Sequence, residues 1–429
     1  MREMKNSNII WLGSIPSDWN ILRVKNTSWL KGRIGWDGLK SEEFTDEGPY
    51  LITGTDFSDG KVNWDTCAHI TEDRFSEDEL LHVKEGDLLI TKDGTIGKLA
   101  IVEGCPEKVS LNSGVMIIRN NSSWRYDQKF MYYILGSEVF TQWFESEQKP
   151  GSTIRHLYQH QFGEFRFPFP SLSEQRSIVS YLDKKCATID EAIARRRQII
   201  EKLEEYRKIV TTALISGCDS KPVRLKFLLI KGRSGMKVGP FGSDLSTKEY
   251  VDEGPWVYTQ RTVLDNNYKT NEIHVSEQKY EAMKGFEVLP GDILVTTRGT
   301  LGYVSVVPPG APTGILHPCL IRFRIDSSLV SPTFIKCLFN ETDLIMNQIK
   351  GKAEGATIGA LYSGMLKDLV MPIPSLKDQE IIMQKVQNVH GRIDKQVSIN
   401  TEIIERLEEY RKSIIYNAIT GKIDCREVV

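Results

Sequence analysis

The sequence predicts an α+β protein: two tandem mixed α/β domains separated by two long antiparallel coiled-coil helices, the whole a pseudo-twofold internal duplication. Three observations carry this. Phrases recur at a constant spacing of about 205 residues, far longer than any solenoid unit. Each half holds short Val/Ile/Leu-rich runs bounded by Gly, Asp and Asn, the mark of strands. Each half then ends in one uninterrupted run of helical periodicity.

The recurrence is extensive. Glu-Gly-Pro-Tyr at 47–50 returns as Glu-Gly-Pro-Trp at 253–256, and Gly86-Asp-Leu-Leu-Ile-Thr-Lys-Asp-Gly-Thr-Ile-Gly97 as Gly291-Asp-Ile-Leu-Val-Thr-Thr-Arg-Gly-Thr-Leu-Gly302. Gly151-Ser-Thr-Ile matches Gly355-Ala-Thr-Ile, and Pro168-Phe-Pro-Ser-Leu matches Pro372-Ile-Pro-Ser-Leu. Ile199-Ile-Glu-Lys-Leu-Glu-Glu-Tyr-Arg-Lys208 reappears over 403–412 with one change. The expected division is a domain over 1–170, a long helix over 171–217, a second domain over 218–374 and a second long helix over 375–429.

Within the domains, strands are expected at 87–91, 99–102 and 115–119, and one helical stretch in each, over 127–147 and 332–350, the latter with Ser331 as N-cap before Pro332. Ser171-Leu-Ser-Glu174 and Ser375-Leu-Lys-Asp378 resemble capping boxes opening the long helices, and Gly217 and Gly421 close them. Each run of about 43 residues would extend roughly 64 Å. The series Ile178, Leu182, Lys185, Ile189, Ala192, Arg196, Ile199, Leu203, Tyr206 and its counterpart Ile382, Val386, Val389, Ile393, Gln396, Asn400, Ile403, Leu407, Tyr410 step by four and three, as a coiled-coil seam requires. An antiparallel crossing brings the polar seam residues Arg196 and Asn400 together as register markers. Glu204–Lys208 and Glu408–Lys412 add i,i+4 pairs. The alternative is two solvent-covered helices in separate bundles.

Charge and composition narrow the function classes. The formal net charge is −2, which argues against bulk coating of nucleic acid but not against local basic patches. Seven cysteines without a C-x-x-C pair indicate reduced thiols and a cytoplasmic location rather than a zinc site or a disulfide framework. No apolar run reaches membrane-spanning length, and the N-terminus lacks a signal peptide's apolar stretch.

Two recurring loops suit DNA. Lys31-Gly-Arg33-Ile-Gly35 returns as Lys231-Gly-Arg233-Ser-Gly235, with Lys237 following. Glycines allow close backbone approach while Lys and Arg neutralise phosphates; a solvated turn is the ordinary alternative. The upstream flanks, Arg23 and Lys25, then Lys221, Arg224 and Lys226, are basic and free of acids. The second loop is a hairpin over 91–98, matched at 296–303. Its framework is constant but its tip is Lys92-Asp93 in one half and Thr297-Arg298 in the other, with Lys98 answered by Tyr303. Two readers of different bases would need that divergence, since Arg reads guanine bidentately and Asp accepts from cytosine. Arg155 joins the DNA-contact candidates. His156 and His160 would sit one turn apart on a helix, yet no H-E-x-x-H glutamate accompanies them, so a structural or DNA-facing role outweighs a metal site. No phosphate loop, Gly-x-Ser-x-Gly elbow or other catalytic signature is present. The sequence describes a binder with no metal and no cofactor of its own.

The duplicated plan, with Pro-Ser-Leu-x-Glu/Asp-Gln opening each long helix, resembles the specificity subunit of type I restriction–modification systems. Gly239-Pro-Phe-Gly-Ser-Asp-Leu245 and Gly86-Asp-Leu-Leu-Ile-Thr resemble phrases of that family's target-recognition domains; the first half has Trp36-Asp-Gly-Leu-Lys-Ser where the second has the former phrase. The resemblance implies a non-catalytic subunit that reads a bipartite site in double-stranded DNA, with the helices setting the gap. It implies two methyltransferase subunits and restriction/translocase subunits as partners, docking around 201–208 and 405–412. S-adenosylmethionine, ATP and Mg would reside in those partners; this chain lacks the Asn/Asp-Pro-Pro-Tyr/Phe motif of adenine methyltransferases. A protein-binding scaffold or DNA mimic of the same fold is the alternative, and the basic flanks count against mimicry. The specificity portion of a self-contained restriction enzyme is a third reading, disfavoured by the missing nuclease and methyltransferase motifs.

Overall fold

The computed structural model describes residues 2–33, 39–121, 124–148, 155–232, 234–270, 273–351 and 359–426. The chain divides into two compact units, one formed by 1–195 with 402–429 and the other by 196–401. Neither long helix is a unit by itself.

The predicted strands form, and each domain builds the same pair of sheets. In the first, Leu88–Thr91 lies between Val115–Asn120 and Leu99–Ile101, and the sheet runs out to Ser28–Gly32 on one side and the Phe57–Ser58/Lys61–Val62 hairpin on the other. In the second, Ile293–Thr296 lies between Leu320–Phe323 and Val304–Val306, with Met236–Val238 at the edge. A three-stranded sheet accompanies each: Val109–Leu111, Thr45–Ile52, Ala68–His69, and Gly314–Leu316, Tyr250–Tyr258, His274–Val275. The central strands are buried along their whole length, so they read as continuous apolar runs rather than alternating ones. The Glu-Gly-Pro phrase recurs because each long strand bulges there. Gly48 and Gly254 hold φ of +130° and +138°, and a Cβ would stand 2.5 Å from Ile70 O or 2.4 Å from Val275 O.

Each single expected helix is two. Gln128–Leu135 stops at Gly136, and Ser137 caps Glu138–Glu147 by accepting from Val139 N. Pro332–Asn340 is followed by Leu344–Gly351, with Thr342 Oγ1 accepting from Leu344 N. Short polar side chains at these breaks offer the backbone an alternative to continued helix.

The long helices are Leu172–Ser216, 45 residues, and Leu376–Ile419, 44 residues. Their caps form only in part as boxes. Ser171 and Ser375 accept from the N–H of Glu174 and Asp378. The Glu174 carboxylate instead meets Arg2 and the Trp19 indole, while Asp378 meets the Ser375 hydroxyl. Gly421 takes the left-handed conformation at φ +70°; Gly217 is not in that region.

In each unit the helix segments run antiparallel. Asp190 pairs with Arg411 at 2.9 Å in one; in the other Arg207 pairs with Asp394, and Thr211 meets His390 at 2.9 Å. Arg196 Nη1 donates to Asn400 Oδ1 at 3.3 Å, and Asn400 is buried. The seam departs from the expected series in several places. Cys186 and Ile193 face inward in place of Lys185 and Ala192, while Tyr206, Gln396 and Tyr410 turn outward, Arg207, Val397 and Arg411 taking their places. A helix of 3.6 residues per turn drifts against a strict heptad, and the inward position slips by one residue. Lys208 reaches Asp343 rather than Glu204.

The final Gln of the Pro-Ser-Leu-x-Glu/Asp-Gln phrase has the clearest structural role. Gln175 and Gln379 are buried. Each accepts from the N–H of the residue capping the domain's helix, Asp127 or Ser331, at 2.9 Å, and donates to the carbonyl of Pro170 or Pro374. Each glutamine thus fastens a long helix to its own domain. Gln379→Ala will strand these backbone groups and is expected to destabilise the protein by about 1–2 kcal/mol, read as a lower urea midpoint; an unchanged midpoint would remove the clamp.

Candidate nucleic-acid interface

The two hairpins are built alike. Thr91 Oγ1 donates to Thr95 O and accepts from Lys98 N; Thr296 Oγ1 does the same with Thr300 O and Tyr303 N. Glycines at left-handed φ turn both tips: Gly94 and Gly97, then Gly299 and Gly302. The next backbone unit is a node where three loops meet. Lys92 N donates to Gly114 O and its carbonyl accepts from Leu157 N; Thr297 N donates to Cys319 O and its carbonyl accepts from Leu361 N. A fourth segment flanks the tip, since Gly54 approaches Thr91 and Gln260 approaches Gly299.

The hairpin-start candidates turn inward. Lys92 is buried, and its Nζ donates to Arg33 O at 2.7 Å. Burial pushes its pKa down, with Asp93 opposing. Thr297 is buried, its hydroxyl donating to Cys319 O at 2.8 Å. Arg33 is buried too, with Nε donating to Leu111 O at 3.1 Å. None of the three side chains is open at the surface as the DNA-contact expectation assumed: Lys92 and Arg33 brace carbonyls inside the domain, and Thr297 reinforces the link its own N–H makes to Cys319 O.

The Lys-Gly-Arg loops are not equivalent. Lys31 lies on a strand, half-buried, with Nζ 2.8 Å from Asp78. Burial raises the Asp78 pKa, but the Lys31 hydrogen bond, the Leu80 N–H and the Lys31 and Arg33 charges bring the net shift below the usual carboxylate range. Lys231 is exposed, in a turn ahead of the corresponding strand, with Gly232 at φ +95°. Pairing shows why: Gly32 partners Met116, whereas Val238 partners Ile321. The second domain therefore carries extra residues before this strand, and the shared tripeptide falls in different places. Arg233 lies outside the described residues, as do 34–38 and the phrases at 151–154 and 355–358. The basic flanks find acids in the fold: Arg23 and Lys25 both pair with Glu164, and Arg224 approaches Asp368 at 4.0 Å.

The hairpin tips stay at the surface. Lys98 and Arg298 are exposed and have no side-chain partner among the described residues. Arg155 is exposed and pairs with Glu145 at 2.6 Å. Lys237 lies 4.3 Å over the Phe286 ring, and Tyr303 is half-buried against the Trp256–Tyr258 cluster. Asp93 engages His156 Nδ1. His156 precedes the helix Gln159–Gly163, so the helical spacing assumed for His156 and His160 does not apply.

Sequence reasoning missed a recurring pair. Leu157-Tyr158 and Leu361-Tyr362 bury the leucine beside the node and leave the tyrosine 51% and 67% exposed. Their constant offset was the available signal. It also missed Gln260 and Arg261, which occupy the flanking segment where the first domain has Gly54 and Thr55. Finally, the Gly-Asp phrase is structural: buried Asp87 pairs with Arg119 and Asp292 with Arg324, at 2.5 and 2.6 Å.

Comparison with known proteins gives the same duplicated picture. The family model for the type I restriction modification DNA specificity domain matches residues 29–205 and again 242–409. A putative type I restriction enzyme MjaX specificity subunit of Methanocaldococcus jannaschii is 22% identical, over 96% of this chain and 95% of its own length. The EcoBI specificity subunit of Escherichia coli is likewise 22% identical, over 99% of this chain and 90% of its own. A chain from a solved structure, described as the basis of complex assembly and conformational transition of the type I R-M system, shares the fold with a TM-score of 0.67 at 16% identity. It covers 95% of this chain and 99% of its own. With one matched domain in each half, the chain belongs to the type I restriction modification DNA specificity family.

Proposed function

We propose that this chain reads a split double-stranded DNA target, one half-site per domain, and directs partner adenine methyltransferase and restriction subunits to it while carrying no catalytic site itself. The observation that carries this is the node at Lys92 and Thr297: an identical backbone frame whose adjoining tips carry different side chains, Asp93 in one domain and Arg298 in the other. A constant frame fixes register on the duplex, and divergent tips read different bases. Lys98 and Lys231, both exposed, serve the phosphates; Tyr158 and Tyr362 supply the contact common to both halves. Methylation at adenine N6 requires a flipped base held in the partner's pocket, so S-adenosylmethionine, and the ATP and Mg of the restriction subunits, belong to those partners.

The test is co-expression with a type I methyltransferase subunit that forms a stable complex with it, followed by genome-wide mapping of methylated adenines. A split motif with a fixed gap, lost when this chain is omitted, is expected. A stable complex without any motif would overturn the reading in favour of a scaffold.

The methyltransferase surface is assigned to the outward helix faces. Tyr206 and Tyr410 are 53% and 55% exposed at equivalent repeat positions, and Ile209 is exposed beside Tyr206. Large aromatics left open amid charged residues are typical interface anchors. Tyr206→Ala and Tyr410→Ala are each expected to weaken subunit association about ten-fold, measured by titration of purified partners. Unchanged affinity in both would place the interface elsewhere.

A further inference from the structure

We propose that His156, oriented by Asp93, reads one base pair of the first half-site through its Nε2, and that it recognises an exocyclic amino group in the major groove. This rests on the function proposed above.

The two residues come from different loops and are brought together by the node. Leu157 N donates to Lys92 O at 3.0 Å, which sets His156 beside the hairpin tip that carries Asp93. The buried Leu157 anchors the segment. The Tyr158 ring lies 4.4 Å from the imidazole, tilted by 53°, and limits its rotation. Asp93 accepts at Nδ1. A carboxylate has only acceptors to offer, so Nδ1 carries the proton, and in that tautomer Nε2 presents a lone pair. Among the described residues Nε2 has no partner. A fixed acceptor at this place takes a hydrogen from adenine N6 or cytosine N4 and is repelled by the keto oxygens of guanine and thymine on the same strand.

The duplication supports a reading role over loop closure. The equivalents of Asp93 and His156 are Arg298 and Ala360, so both members change together while Leu-Tyr after them stays constant. A pair needed only to close the frame would be expected wherever that frame recurs. Asp93 is accordingly a positioning residue, not the direct cytosine acceptor that the sequence suggested.

The experiment maps methylated adenines with the full chain and its methyltransferase for wild type, His156→Ala, His156→Gln and Asp93→Asn. His156→Ala should lose about 5- to 150-fold discrimination, making one position of one half-site degenerate and leaving the other half-site unchanged. Asp93→Asn can donate to Nδ1 and so allows the opposite tautomer. It should relax that same position toward the keto base on the same strand, an effect that simple loosening of the loop would not give. His156→Gln keeps polar volume and guards against misfolding; it should alter that position alone. A motif unchanged in His156→Ala, or methylation lowered evenly over all sequences, overturns the proposal. Absence of any split motif in the wild type overturns the function reading itself, and with it this assignment.

Discussion

Asp292→Ala is expected to destabilise the second unit by about 3–5 kcal/mol, the usual consequence of removing one partner from a buried ion pair. Asp292 is buried and serves two arginines, Arg324 at 2.6 Å and Arg322 at 3.7 Å. Oδ2, the oxygen that faces Arg322, also accepts from Leu289 N at 2.8 Å. Arg322 is almost wholly buried, and burial already pushes its pKa down, with Asp292 opposing and Arg324 reinforcing the shift. Without the carboxylate, two neighbouring guanidinium groups remain, one of them shut away from water. The first domain provides the control. Among the described residues its pair is Asp87 with Arg119 alone, because the equivalent of Arg322 is Ile117, a buried aliphatic residue. Asp87→Ala should therefore cost less, about 1–3 kcal/mol. Adding Arg322→Ile to Asp292→Ala should recover part of the loss, since an apolar side chain replaces a stranded charge. Urea unfolding of each variant measures this. A loss below about 1 kcal/mol for Asp292→Ala, or no recovery in the double variant, would show that the charges are solvated in some other way.

Arg298→Ala is expected to remove about 1–3 kcal/mol of discrimination at one base pair of the second half-site. Arg298 stands exposed at a hairpin tip whose backbone is fixed by Thr296 and by the node at Thr297. The planar fork of a guanidinium matches guanine O6 and N7. Gln260 approaches the adjacent Gly299, so an amide able to read adenine lies beside it. The methylated motif of the variant should become degenerate at one position in the second half-site and keep the first intact. An unchanged motif would sink the assignment. A uniform fall in methylation with a smaller salt dependence would mean that Arg298 holds a phosphate instead.

The sequence by itself determined the duplication, the central strands and both long helices, because these follow from local signals. Apolar runs such as Leu88–Thr91 and Ile293–Thr296, too short for a helix and bounded by turn residues, read as buried strands. The spacing of Ile178, Leu182 and Ile189, and of Ile382, Val386 and Ile393, commits those stretches to helix regardless of what they pack against. The recurrence of Gly-Asp, Glu-Gly-Pro and Pro-Ser-Leu marked positions of structural demand, although it did not say what the demand was.

Tertiary structure decided the rest. Lys92, Thr297 and Arg33 look like surface polar residues in sequence, yet the fold buries them and turns their donors onto the carbonyls of Arg33, Cys319 and Leu111. The tripeptide Lys-Gly-Arg occurs twice but lands on a strand in one domain and in an exposed turn in the other, because pairing register depends on the partner strand and not on the repeated letters. Tyr206 and Tyr410 occupy heptad positions and still face outward, since the helix twist carries the seam to Arg207 and Arg411. Asp93 and His156 stand 63 positions apart and meet only through the backbone of Lys92. Periodicity is a property of the local chain and can be read from it; the direction a polar side chain takes depends on which distant groups would otherwise be left without a hydrogen-bond partner.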